Sequence, residues 1–207
     1  MASTIIHLAV AKKVLEKVEV DNLKDYFLGA IAPDISKQIG QNREISHFLY
    51  NTAEDIPNIP LFIKTYPLFK YTAFDLGYFT HLYTDKIWNE RFLPNYAKEN
   101  KIKLLDGTIM EVSAEQMKDM IYSDYTNLNT QVIDEYHLDL SLFYEEYIPP
   151  RTKIKEIPIN NLDILLNKIG IIIENSKEEK TYALDFESIK EFINQCANEI
   201  INEIKKY

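Results

Sequence analysis

The sequence predicts an all-α protein, and three observations support that fold class. Apolar residues recur with the 3.6-residue period of a helix along most of the chain. Ser, Thr, Asp or Asn precedes several of these segments, as expected of residues that cap helix N-termini. Only residues 101–111 carry a clear strand signal. Because 207 residues with 46% apolar content can bury a sizeable core, we predict a single multi-helix domain over residues 1–207.

The helical period, together with caps and prolines, defines the predicted helices in order. They cover residues 4–18, 22–30, 43–53, 67–92, 113–136, 141–147, 160–175 and 185–206. The residues expected to cap the first, second, fifth and last of them are Ser3 or Thr4, Asp21 or Asn22, Ser113 and Asp185.

Prolines and one glycine mark where these helices end or pack. Pro33 disfavours helical geometry at the residue before it, so Asp34 is predicted in a stiffened loop just past the second helix. Three prolines interrupt residues 56–67, and Pro67 is expected to start the long fourth helix. Gly77 within that helix costs about 1 kcal/mol relative to alanine, which indicates close approach of either a second helix backbone or a ligand.

Two segments of the C-terminal half are predicted to be non-helical. Asp106-Gly107 lies between apolar runs and favours a type I′ hairpin turn, although an ordered loop is equally compatible with this short segment. The Lys- and Glu-rich residues 176–180 are predicted to form a solvated loop between helices.

Composition and charge exclude several classes of protein. A formal net charge of −9 argues against general nucleic-acid binding, which needs clustered Lys and Arg. The single cysteine, Cys196, excludes an internal disulfide framework. No segment approaches the roughly 20 apolar residues of a membrane span, and no export signal is visible, so we expect a cytoplasmic protein.

The histidines and aspartates point to a metal site. His81 and Asp85, four residues apart, project from one helix face and can reach a single cation. Such a pair alone is weak evidence, because an i,i+4 hydrogen bond on a solvated face is the commoner explanation of an isolated pair. With His7, His47 and Asp34, however, the chain offers three imidazoles and two carboxylates, the donor set of a hydrolytic metal centre.

Four segments resemble the zinc-dependent phospholipase C and single-strand nuclease superfamily, an all-helical fold with clustered metals. They are Ser3-Thr-Ile-Ile-His7-Leu-Ala, Phe27-Leu-Gly-Ala-Ile-Ala-Pro-Asp34, Ser46-His47-Phe48 and Leu76-Gly-Tyr-Phe-Thr-His81-Leu-Tyr-Thr-Asp85. The resemblance covers roughly the first 95 residues and implies that His7, Asp34, His47, His81 and Asp85 are metal ligands. Zinc is the expected ion, and manganese or iron also suits such ligands.

The chain departs from the family pattern at three places. Secreted members have a further histidine a few residues after the helical aspartate, where this chain reads Lys86-Ile-Trp-Asn-Glu-Arg91. They also have a later His-x-x-x-Glu pair, whereas His137 is followed four residues on by Ser141. Extracellular members use a freed N-terminal amine as a ligand, and no leader is visible here. We therefore expect one or two metal ions rather than three.

The resemblance implies a metal-dependent hydrolase, and we expect a phospholipase C-like phosphoesterase that uses metal-activated water. The substrate would be a small-molecule or lipid-head-group phosphoester. Asp34 would be both ligand and proton acceptor, and Arg43, one turn before His47, would hold a phosphate oxygen. The further substrate-binding residues predicted are Tyr78 and Trp88 as pocket walls, and Asp124 and Asn127 as polar contacts.

Three other interpretations remain open at this point. An HD-type phosphohydrolase is also all-α with His and Asp ligands, but the adjacent His-Asp dipeptide that defines it is absent. A non-enzymatic helical binding protein could retain a partial metal site. A helical interaction domain without a metal is the third interpretation.

Overall fold

The computed structural model describes residues 1–50, 55–67, 71–167 and 181–207. The helices are α1 Thr4–Val14, α2 Leu23–Gly29, α3 Ile35–Gln38, α4 Arg43–Ser46, α5 Ile59–Thr65, α6 Ala73–Ile87, α7 Ala114–Glu135 and α8 Phe186–Ile204. A π-helical turn, Trp88–Phe92, extends α6, and 3-10 turns form at Ala32–Asp34, Leu93–Asn95, Ser141–Phe143 and Ile159–Asn161. The predicted all-α fold with a short β-hairpin is confirmed.

Side-chain caps fix where most of these helices begin. The Ser3 hydroxyl accepts the Ile6 N–H, so Ser3 and not Thr4 caps α1. The Asn22 side chain accepts the Asp25 N–H, so Asn22 and not Asp21 caps α2. Ser113 forms the predicted capping box with Gln116, and Asp185 caps α8 through the Ser188 N–H.

Two predicted helix boundaries in the N-terminal half are wrong. The long helix begins at Ala73 rather than Pro67, because Thr72 and Asp75 form a capping box there. The helix predicted over residues 43–53 ends at Ser46, and Phe48 has a φ of +52°, which takes the chain out of helical geometry.

The prolines also act differently from the prediction. Pro33 and Pro60 each lie in the first turn of a helix, where the missing N–H has no intrahelical partner to lose. Asp34 therefore ends a 3-10 turn and leads directly into α3, instead of lying in a loop, and residues within the proline-rich stretch form α5.

In the C-terminal half, the predicted helix at 141–147 is only the 3-10 turn Ser141–Phe143. Residues 163–167 are helical, and the remainder of the helix predicted to end at 175 lies outside the described residues, as does the loop predicted at 176–180.

Three short antiparallel strands form one sheet in the order β1 Ala97–Lys98, β2 Lys101–Lys103, β3 Ile109–Glu111. The predicted hairpin joins β2 and β3, but its type I′ turn is wrong. Of Asp106 and Gly107 only Gly107 has a positive φ, +86°, and residues 104–108 form a longer loop. The two-residue turn with both φ values positive is Glu99-Asn100, at +51° and +61°, between β1 and β2.

Helix α6 lies at the centre of the packing and contacts α1, α2, α5 and α8. A Cβ placed on Gly77 would lie 2.0 Å from the Tyr26 carbonyl oxygen, and one on Gly29 would lie 2.1 Å from that of Phe74. The two glycines thus let α2 and α6 touch backbone to backbone, and of the two explanations for Gly77 the structure shows close helix packing. No helix within the described residues has the length and apolar character that a membrane crossing requires.

Candidate metal centre

The structure brings together all five residues predicted to bind metal. His7 lies in the first turns of α1, Asp34 at the start of α3, His47 at the C-cap of α4, and His81 and Asp85 one turn apart on α6. Their ligand atoms form two groups, His7–His81–Asp85 and Asp34–His47–His81, and within each group the atoms lie within 4.8 Å of one another. His81 belongs to both groups.

The separations between the ligand atoms are compatible with donors that surround a cation. His7 Nε2 lies 3.4 Å from Asp85 Oδ1, and His47 Nε2 lies 3.6 Å from Asp34 Oδ1. Asp85 Oδ2 is 3.7 Å from Nε2 of both His47 and His81. The Nε2 atoms of His47 and His81 are 3.3 Å apart, so the two rings direct the same atom into one space.

Polar contacts with residues outside the cluster hold two of the imidazole rings in orientation. His81 Nδ1 lies 2.8 Å from the Ala30 carbonyl oxygen, which can only accept, so Nδ1 carries the proton and Nε2 keeps a free lone pair. His47 Nδ1 lies 2.9 Å from the Ser46 hydroxyl. The His7 ring stacks on His81 with centroids 3.8 Å apart and an interplanar angle of 7°.

The hydrogen-bonding balance tests whether these residues fit a metal. Four buried atoms of the cluster have no hydrogen-bond partner: both ring nitrogens of His7, Asp34 Oδ1 and Asp85 Oδ2. Such atoms normally find partners, because burying an unsatisfied polar group costs about 1–3 kcal/mol. A cation in the His7–His81–Asp85 group would satisfy a nitrogen of His7 and an oxygen of Asp85, whereas one in the Asp34–His47–His81 group would satisfy an oxygen of Asp34. The mixed imidazole and carboxylate set is one that zinc accepts.

The electrostatics favour a neutral His81 and ionised Asp34 and Asp85, the protonation states in which these three side chains bind metals. Burial, followed by the neighbouring His7, lowers the pKa of His81 to about 3, which keeps its imidazole neutral. Burial opposes ionisation of Asp85 and Asp34, but the nearby histidines outweigh it, so both pKa values lie below the ordinary range for aspartate. The result is a neutral imidazole beside two carboxylates.

Arg43 approaches the same cluster from α4. Its Nη2 lies 3.6 Å from Asp85 Oδ2, and its Nη1 donates to Asp55 Oδ2 at 3.3 Å. The Nε and Nη2 atoms are buried without a hydrogen-bond partner. Two guanidinium donors are therefore available beside the ligand groups.

Several contacts around Asp85 were not predicted from the sequence. The Ala2 N–H donates to Asp85 Oδ1 at 3.2 Å. Asn89 accepts from the Met1 amine at 3.4 Å and donates to the Asp55 carbonyl oxygen at 2.9 Å. Burial lowers the pKa of that amine. The spacing of Asn89, four residues after Asp85 on a continuous helical segment, was a signal that could have identified it.

Four residues predicted to bind substrate have contacts other than with the ligand side chains. Tyr78 is buried and its hydroxyl donates to the Ser46 carbonyl oxygen, and Trp88 packs against Phe92 and Phe192. Both oxygens of Asp124 accept backbone N–H groups of residues 182–184, and Asn127 donates to Thr181. The structure does not join these four side chains to the cluster, and we leave them out of the proposed site.

Comparison with known proteins identifies the family. No curated protein and no solved structure shows significant similarity to this chain. A family model described as zinc dependent phospholipase C matches residues 6–206, which extends well beyond the first 95 residues that carry the visible resemblance. The chain therefore belongs to the zinc dependent phospholipase C family.

Proposed function

We propose that this protein is a zinc-dependent phosphoesterase that hydrolyses a phosphodiester or phosphomonoester in the manner of a phospholipase C. The observation that carries the proposal is the meeting of three imidazoles and two carboxylates, several of whose buried atoms lack a hydrogen-bond partner. Beside them lies Arg43, whose buried Nε and Nη2 also lack a hydrogen-bond partner. Membership of the zinc dependent phospholipase C family supports it and leaves the HD-type alternative without support.

His7, His81 and Asp85 would hold one zinc ion, and Asp34, His47 and His81 are the second candidate group. His81 can offer only Nε2, because its Nδ1 donates to the Ala30 carbonyl oxygen, so the two groups cannot both use His81 at once. One ion would occupy either group, and with two ions one of them would lack His81. A bound zinc ion would supply Lewis acidity, which lowers the pKa of water toward neutrality and offsets charge that develops on a phosphoryl group.

Arg43 would bind the phosphoester. Its guanidinium carries two buried N–H groups without partners, and charge-assisted hydrogen bonds from arginine to phosphate oxygens are among the strongest in proteins. The ion pair with Asp55, whose side chain is 64% exposed, would hold the guanidinium in place.

Asp34 would orient the attacking water. Its side chain is 14% exposed, whereas the side chains of the other four ligands are at most 1% exposed, so the cluster meets solvent at Asp34. Because its pKa lies below the ordinary range, its carboxylate is ionised near neutrality and accepts hydrogen bonds from water. A carboxylate with a lowered pKa is a weak base, so proton acceptance is the secondary part of its assigned role.

A non-enzymatic protein with a partial metal site is the second candidate. The presence of one partly exposed ligand beside unpaired arginine donors favours catalysis, because catalytic sites keep a position open to substrate and structural sites are closed.

The test is hydrolysis by zinc-reconstituted protein of bis-p-nitrophenyl phosphate, p-nitrophenyl phosphate and a short-chain phosphatidylcholine. We expect zinc-dependent cleavage of at least one of them and its loss in Asp34→Asn. Asp139→Asn is the matched control, since Asp139 is exposed and bonds only within its own turn. Folded, zinc-loaded protein that cleaves none of the three would favour the non-enzymatic alternative.

A further inference from the structure

Helix α7 contributes no ligand to the cluster, yet it contacts the residues that lead into it. The Tyr125 hydroxyl donates to the Met1 carbonyl oxygen at 2.6 Å. The Ser3 hydroxyl donates to Asn129 Oδ1 at 2.9 Å. Tyr125 and Asn129 are four residues apart and so lie on one face of α7, and both are buried.

The segment held by these contacts bonds directly to the ligands. Between the two held residues, the Ala2 N–H donates to Asp85 Oδ1 at 3.2 Å. Ser3 is also the N-cap of α1, and its carbonyl oxygen accepts the His7 N–H at 3.0 Å. Residues 1–3 therefore connect α7 to a carboxylate on α6 and an imidazole on α1.

The Ala2 contact determines which oxygen of the Asp85 carboxylate is without a hydrogen-bond partner. Oδ1 accepts the Ala2 N–H and lies 3.4 Å from His7 Nε2. Oδ2 has no hydrogen-bond partner and faces Arg43, His47 and His81. If residues 1–3 shifted, the carboxylate would be free to rotate and His7 would lose its fixed distance to it.

We propose that Tyr125 and Asn129 are positioning residues for the His7–His81–Asp85 group, acting through residues 1–3. The Asp34–His47–His81 group has a support of its own in the Ser46 hydroxyl at His47, while the Ala30 carbonyl oxygen holds His81, which both groups share. Loss of the α7 contacts thus weakens metal binding at the first group selectively. This inference rests on the metal centre of the proposed function and not on the proposed hydrolysis.

The test measures zinc affinity by competition with a chromophoric chelator in two backgrounds that isolate the groups. Asp34→Asn leaves the His7 group intact, and His7→Ala leaves the Asp34 group intact. In the Asp34→Asn background, Tyr125→Phe and Asn129→Ala are each expected to weaken zinc binding by about 10-fold to 100-fold, the usual effect of removing an outer contact. In the His7→Ala background the same substitutions are expected to leave zinc affinity unchanged.

The matched controls are Tyr122→Phe and Gln131→Ala on the same helix. The Tyr122 hydroxyl accepts from Lys37, and Gln131 bonds the Asn127 carbonyl oxygen, so neither reaches residues 1–3. Thermal unfolding of the metal-free variants shows whether each protein folds. Tyr125→Phe keeps its ring against Trp88, which makes it the milder substitution.

The outcomes separate this inference from the proposed function. Equal losses in both backgrounds, or no loss in either, would overturn the positioning role even if the wild type hydrolyses phosphoesters. Selective loss would establish the role even in a protein that hydrolyses none of the substrates tested. A wild type that binds no zinc would overturn both proposals.

Discussion

The two ligand groups of the centre are built in different ways. His7 and Asp85 lie on the long helices α1 and α6 and are completely buried. Asp34 and His47 lie at the ends of helical segments of three or four residues, and Asp34 is partly exposed. The difference indicates that the first group is a fixed, closed part of the helical framework, whereas the second faces solvent and would meet the substrate.

In the partly exposed Asp34–His47–His81 group, side-chain hydrogen bonds hold the short helices in place. The Ser46 hydroxyl donates to Ser36 at 3.0 Å and contacts His47 Nδ1, while Tyr78 donates to the Ser46 carbonyl oxygen. These bonds tie α3 and α4 to each other and to α6. Tyr78 thus supports a ligand, although it was predicted to line the pocket.

The largest expected effect comes from Gly77→Ala, which acts on the support common to both groups. The new Cβ would lie 2.0 Å from the Tyr26 carbonyl oxygen and 2.8 Å from the Ala30 nitrogen, so α2 must move away from α6 and take the acceptor of His81 with it. We expect the free energy of unfolding to fall by about 3 kcal/mol or more, measured by urea denaturation.

The control for that variant is Gly40→Ala. A Cβ there meets nothing within 4 Å, and only the positive φ of +67° opposes it, so we expect a loss of about 1 kcal/mol. A loss for Gly77→Ala no greater than that for Gly40→Ala would show that the backbone contact between α2 and α6 is not needed.

Asp85→Asn and Asp34→Asn separate the two groups. Asp85 belongs to the His7–His81–Asp85 group, so its substitution is expected to weaken zinc binding at that group by more than about 100-fold, above the range for an outer contact. Asp34→Asn is expected to weaken zinc binding only at the partly exposed Asp34–His47–His81 group. The competition titration with chelator measures both, and equal effects of the two substitutions would remove the distinction between a closed and an open group.

Removal of metal is expected to lower thermal stability because the ligands are buried. Zinc at 100 times its dissociation constant stabilises a folded protein by about 2.7 kcal/mol. We expect the wild-type unfolding temperature to fall when chelator is added, and that of His81→Asn to stay the same. A wild-type unfolding temperature that is insensitive to zinc and chelator would be incompatible with binding at buried ligands.

Arg43→Lys tests whether this arginine binds the phosphoester, and it has the smallest expected effect. Lysine keeps the charge but loses the paired donors of the guanidinium, so KM should rise by about tenfold, equivalent to 1.4 kcal/mol, with zinc affinity unchanged. Arg91→Lys is the control, since Arg91 is exposed and pairs with Glu199. An unchanged KM in Arg43→Lys would argue against its role at the phosphate.

The sequence was most informative where local spacing determines geometry. His81 and Asp85 share a helix face because they are four residues apart, and the caps at Ser3, Ser113 and Asp185 follow from local hydrogen bonding. These features depend on neighbours in the chain, so periodicity and cap chemistry were enough to predict them.

Contacts between distant segments were not predictable from spacing. The end of α4 before His47 depends on the positive φ of Phe48, which no local residue preference favours. The Ala2 contact with Asp85 joins residues 83 positions apart. Tyr78 and Trp88 lie three residues from a predicted ligand in sequence, but tertiary packing buries both side chains.

The most direct test of the metal centre is zinc stoichiometry, measured by elemental analysis after dialysis of metal-free protein against zinc. The wild type and His137→Asn, a substitution outside the cluster at a position whose φ of +46° asparagine tolerates, are expected to bind one or two zinc ions. His81→Asn, which removes the ligand shared by both groups, is expected to remain folded and bind none. A folded wild type without zinc, or His81→Asn that binds as much zinc as the wild type, would contradict the assignment.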